Sequence, residues 1–279
     1  MLSRLPAAFV RAALVAILVV MPYAILDHQS NDGTQIVALA AVFAVLFTLV
    51  EYCSASPSLV EFRDAPPFNR VRFSALFATV LCLSVIFRGG DHPSEISSFF
   101  ETAGFQIGHA IDFPYSPVRL MIDLMPESTD PAVIDRLRSS TGLSYLMVSF
   151  SVIWFVILLR LYRWPRRTET FNVWVNLPTF DPTSGGDVVK RLRRDARFNV
   201  LLGLAVPFLA PGVVKLVSVF GTPIDLSSTQ TLIWTVAAWA FLPANLLMRG
   251  IAISRIAYMI DLQRRRAYGD RGVGIRRYV

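Results

Sequence analysis

The sequence predicts an all-α protein, a polytopic membrane helix bundle with six transmembrane helices and both termini cytoplasmic. Three observations carry that expectation. Hydrophobic residues make up 54% of the 279 positions and mean hydropathy is +0.51, well above the balance of a soluble domain. The apolar residues gather into six runs, at 12–26, 36–50, 73–87, 143–161, 199–220 and 231–248, the last three long enough to cross a bilayer and the first three somewhat shorter. The cations sit asymmetrically between those runs. With the spans counted off, only Arg88, Arg119, Arg136, Arg138 and Lys215 of the 27 Lys and Arg fall outside or near an outer end, which is the positive-inside distribution.

The orientation is set by the fourth run and the cations at its end. Residues 143–161 are almost wholly apolar, and then come Arg160, Arg163, Arg166, Arg167, Lys190, Arg191, Arg193, Arg194 and Arg197. That end of the span belongs in the cytoplasm. The remaining elements are placed by counting. Residues 1–11 carry Arg4 and Arg11 with no acid, and no small-x-small cleavage site closes the apolar run, so an uncleaved first helix is expected with a secretory signal as the competing reading. Arg11 is expected to snorkel to the inner headgroups. Residues 27–34 form an acidic outer turn, and the second run brings the chain back in, with Ala40 and Ala44 one turn apart as a close-approach face. Glu51 and Tyr52 then belong at the interface. Prolines 57, 66 and 67 break the inner loop before the third span.

Residues 89–141 form the one long extracytoplasmic connection. Helices are expected at 93–102 and 131–139, opened by Pro-Ser-Glu and capped by Thr129 or Asp130. So long and apolar a connection should pack, along the outer membrane face. The inner loop at 163–198 reads as an extended piece at 168–180, where apolar and polar residues alternate, followed by a basic helix at 187–197. The fifth span holds Pro207 and Pro211, which should kink or interrupt it. The sixth contains Pro243, and its apolar pattern continues through Ile256 and Ile260. A single membrane domain therefore covers 1–260, with a basic cytoplasmic tail at 261–279.

Sites are sparse. No GxSxG, HExxH or phosphate-loop motif occurs, so no catalytic residue is assigned and no cofactor is predicted. His92-x-x-Glu95 and His109-x-x-Asp112 would place two ligands on one helix face, but such pairs arise readily in an acidic loop, and no metal is assigned to them. Pro207, Pro211 and Lys215 are candidates for a transport site, because a broken helix can expose backbone groups to a substrate; snorkelling is the other reading of Lys215. Arg166, Arg167, Lys190, Arg191, Arg193, Arg194 and Arg197 are candidates for contact with a partner or with anionic lipid headgroups at the cytoplasmic face. The net charge of +7 is read as lipid contact rather than nucleic-acid binding, because the cations lie beside apolar spans. Cys53 and Cys82 belong to no CxxC motif and read as small apolar side chains.

Only Lys190 and Lys215 are lysines among the cations, which fits the codon usage of a GC-rich bacterium and points to its inner membrane. The function expected is that of an accessory, assembly or structural subunit, working in the bilayer through a membrane-protein partner or as a homo-oligomer. The alternative is a small secondary transporter or channel built on the proline-broken fifth helix.

Overall fold

The computed structural model describes residues 5–26, 31–55, 57–63, 66–90, 92–126, 129–162, 164, 176–181, 183, 185–220 and 228–275. Eight helices occur among them: α1 Leu5–Ile25, α2 Asn31–Cys53, α3 Pro66–Gly89, α4 Glu95–Ile111, α5 Pro117–Ile122, α6 Pro131–Leu161, α7 Val188–Phe220 and α8 Thr229–Ile275. No strand is present among the described residues. Helices α1, α2, α3, α6, α7 and α8 are each long and apolar enough to cross a membrane, so the protein is an all-helical bundle with six candidate spans. The extended piece expected at 168–180 lies outside the described residues apart from 176–180, where Asn176 is helical and Pro178 and Thr179 form a turn.

Three helices are longer than the apolar runs suggest. The expected pieces at 131–139 and 143–161 are one helix, α6, because Ser139, Ser140, Thr141 and Gly142 between them do not break it. Its 31 residues extend about 46 Å at 1.5 Å per residue, more than the roughly 30 Å hydrocarbon core. The basic helix at 187–197 and the fifth span are likewise continuous in α7, which is assigned helical through both Pro207 and Pro211. Asn199 at the join donates to the Asp195 carbonyl and carboxylate, each within 2.9 Å, and so reinforces the turn it occupies. Helix α8 passes Pro243 and continues to Ile275.

Helix α8 forms the centre. Half of its most apolar window is buried, against 17% for α7, so α7 lies at the periphery and turns Leu201, Leu204, Phe208, Leu209, Val213 and Leu216 outward. Helices α1 and α2 pair as a hairpin, with Ala8 and Ala12 buried on one side and Val37, Ala41 and Thr48 on the other. Of the expected pair, Ala44 is half-buried and shares the stripe of Val37, Ala41 and Thr48, whereas Ala40 is exposed. Arg11 lies over the Tyr52 ring, 4.7 Å from its centroid.

The long connection is a packed layer. Ser94 caps α4 in a reciprocal box with Ser97, and the helix runs to Ile111, well past the expected 102. Phe100 and Ile107 pack on Cys82, Ile86 and Leu143, which seats α4 across the neighbouring ends of α3 and α6. The approach is close enough to demand glycine: a Cβ on Gly142 would lie 2.5 Å from Gly108 Cα. Ser116 and Pro117 then start α5, which buries Val118, Met121 and Ile122 in the main core.

Candidate functional site

The end of the bundle carrying residues 54–63, 176–181 and the N-terminal part of α7 holds most of its polar chemistry. Phe62 organises the loop before α3. Its backbone takes φ +52°, a conformation that disfavours a side chain. It is held there by donation to the Asn176 carbonyl at 2.8 Å and by the Asn69 amide, which reaches the Glu61 and Phe62 carbonyls at 3.0 and 2.9 Å. The ring packs tilted against Phe68 and edge-on against Trp164. Glu51, in the last turn of α2, is 4% exposed: its carboxylate accepts from the amides of Ser58, Leu59 and Val60 and from the Ser58 hydroxyl. Arg63 reaches back to the Ser54 carbonyl at 2.7 Å, which occupies an end group of α2.

That loop presents Glu61 to Arg249 of α8. The guanidinium engages both carboxylate oxygens, at 2.6 and 2.9 Å, and turns its other edge to Asp195 of α7 at 3.3 Å. Thr179 also donates to Glu61 at 3.0 Å. One arginine thereby ties together a loop and two spans, a bidentate use that suits its planar fork. None of these partners was legible as a group, because Glu61 and Arg249 are separated by 188 positions and Asp195 and Arg249 by 54. The nearest signal was Arg249 itself, the first charge after the apolar run at 231–248.

Two cavities flank the basic part of α7. The smaller, about 390 Å³, is lined by Thr179, Phe180, Arg191, Arg194, Asp195, Phe198 and Arg249. The larger, about 930 Å³, lies between α7 and α8 and is lined by Arg193, Ala196, Arg197, Val200, Leu201, Gly250, Ile251, Ser254, Arg255 and Tyr258. The expected lipid- or partner-contacting cations thus divide. Arg191 lies 4.8 Å from the centroid of the Phe180 ring and donates to the Asp181 carbonyl. Arg193 pairs with Asp261 at 2.9 Å. Arg194 and Arg197 are exposed, each in a different cavity, and Lys190 is exposed on the helix between them and its cap. Arg166 and Arg167 lie outside the described residues. Asp187 caps α7 through the amides of Val189 and Lys190 and accepts from Arg264 at 2.5 Å; that hydrogen bond holds its carboxyl below the ordinary aspartate range.

The proline stretch of α7 faces α8. Pro211 lacks the amide that would occupy the Pro207 carbonyl, and the Trp239 indole donates to that carbonyl instead, at 3.1 Å. Trp239 is 6% exposed. One turn earlier, a Cβ on Gly203 would lie 2.9 Å from the Pro243 carbonyl, so the two helices touch almost backbone to backbone. Lys215 is exposed further along α7, and its carbonyl accepts from Ser218 at 2.8 Å.

At the other end, Asp112 faces two arginines, with Arg138 Nε at 2.7 Å and Arg119 Nε at 2.8 Å. His109 sits against Phe105, with ring centroids 4.2 Å apart, and against Arg138. His92 and Glu95 are exposed on either side of the Ser94 cap. No group of three or more His, Cys, Asp and Glu suited to hold a metal ion occurs among the described residues. No protein-family model, curated protein or solved structure matches the chain.

Proposed function

We propose that this is a non-catalytic integral membrane protein that acts through protein partners in the bilayer, as an accessory, assembly or structural subunit of a larger membrane complex. The observation that carries the reading is the Trp239 indole on the Pro207 carbonyl. A transporter would leave the carbonyls of a proline-broken helix to line a polar cavity, whereas here the group freed by Pro211 is closed by a buried side chain of the neighbouring span. The charged residues at the basic end support the same reading, since Arg249 is spent on Glu61 and Asp195, and such pairs hold elements together. We place the protein in a bacterial inner membrane with both termini cytoplasmic, on the strength of the cation distribution.

The test is extraction from the native membrane in mild detergent, followed by native electrophoresis and identification of what migrates with the chain. A stable assembly recovered again through its other member supports the reading. A chain that migrates alone as a monomer overturns it. Pro207→Ala combined with Pro211→Ala should leave that assembly intact, because neither substitution removes the Trp239 ring from its place.

A further inference from the structure

We propose that the groove between α7 and α8 is a binding site for one anionic phospholipid of the surrounding bilayer, with the headgroup phosphate between Arg197 and Arg255 and an acyl chain along Leu201 and Ile251. This goes beyond the partner reading and does not depend on it. The groove, about 930 Å³, is lined by three arginines and no carboxylate. Arg193 is anchored by Asp261, but Arg197 and Arg255 have no ion-pair or hydrogen-bond partner among the described residues, so their charge is available to a ligand. Guanidinium groups match phosphate oxygens in geometry as well as charge.

The position of the groove along the helices identifies the occupant. On α7 the sequence passes from charged residues ending at Arg197 to the outward apolar residues Leu201, Leu204 and Phe208. On α8 the order is reversed, with Ile251 one turn before Arg255. Both helices therefore place their cations at one end of the groove and their aliphatic side chains at the other. The aliphatic end continues into the exposed face of α7, where Leu201 is 66% exposed. A soluble anion would use only the cationic half; a phospholipid fills both. Tyr258 stands beyond Arg255 on the exposed surface, an amphipathic ring at the headgroup level.

The experiment uses the full chain purified in mild detergent and measures binding of phosphatidylglycerol and of phosphatidylcholine in mixed micelles, with mass spectrometry of the lipid retained. Phosphatidylglycerol should bind preferentially. Each cation close to an anionic surface contributes roughly a fivefold preference, so Arg197→Gln and Arg255→Gln should each lower it about fivefold and the pair about twenty-five-fold. The control pair Arg70→Gln with Arg160→Gln removes equal charge from exposed positions outside the groove and should leave it unchanged. Arg197→Lys with Arg255→Lys should keep most of the preference. Equal binding of phosphatidylcholine, or an equal loss in the control pair, overturns the site. Displacement of the lipid by millimolar inorganic phosphate would make the groove a soluble-phosphate site and overturn the lipid assignment. The single substitutions carry the result should the double variant fail to fold.

Discussion

At the residue scale, the clearest dependency is that of Pro211 on Trp239. The indole donates to the carbonyl that Pro211 leaves without an amide, and a buried acceptor without a partner costs about 1–3 kcal/mol. Trp239→Phe should therefore lower stability by about that amount. In a Pro211→Ala background the new amide supplies the Pro207 carbonyl, and the cost of Trp239→Phe should shrink to that of the lost packing. A double-mutant cycle of thermal midpoints in detergent reads the difference; strictly additive costs would remove the link. Arg249 makes a second case. Its removal leaves Glu61 and Asp195 facing each other's charge in a partly buried setting. Arg249→Met should cost at least about 2 kcal/mol, less than for a wholly buried pair because water reaches the site, and Glu61→Gln added to it should recover part of the loss.

At the element scale, the seating of α4 depends on Gly104, Gly108 and Gly142 and is separable from the spans. A side chain on Gly142 meets the Gly108 backbone at 2.5 Å, which no rotamer can relieve. Gly142→Val should push α4 off α6 at a cost of about 1–3 kcal/mol and raise the protease sensitivity of residues 95–126 while the six spans remain. Gly212 on α7 is the counterpart, with nothing within 4 Å of its Cβ position; Gly212→Ala should stabilise the helix by up to about 1 kcal/mol. Equal effects of the two substitutions would contradict the close crossing. The continuity of α6 and α7 belongs to this scale too. Apolar runs end where transfer to lipid ceases to be favourable, but a helix ends only where its backbone finds other partners. The charged turns at 131–139 and 188–198 contain no residue that would stop it.

At the scale of the whole molecule, the polar groups form two ends of different character. One end is tied by Glu61, Asp195 and Arg249, the other by Asp112, Arg119 and Arg138. A periplasmic reporter fused after Glu127 should be active, and the same reporter after Asp181 should be silent, because the cation bias places those points on opposite sides. The reverse pattern would invert the proposed orientation. The tie between Asp187 and Arg264 joins the extended end of α8 to the start of α7. Because Arg264 depresses the Asp187 pKa, any contribution to stability is present above the ordinary aspartate value and lost only as pH falls through the lower folded one. Docking of that end should stay constant across neutral pH; crosslinking between introduced cysteines at 186 and 263 would report it.

The sequence alone determined the number and positions of the six apolar spans, because the free energy of entering a bilayer is close to a sum over local residues. It also showed where charge concentrates and which helix carries two prolines. It did not show that Trp239 closes the Pro207 carbonyl, that Arg249 bridges Glu61 and Asp195, or that Arg197 and Arg255 share a groove with an aliphatic floor. Those facts were decided by tertiary structure, since each depends on residues from different helices meeting within a few ångströms. The periodicity of one helix says which side chains share a face, and nothing in it specifies the face they meet.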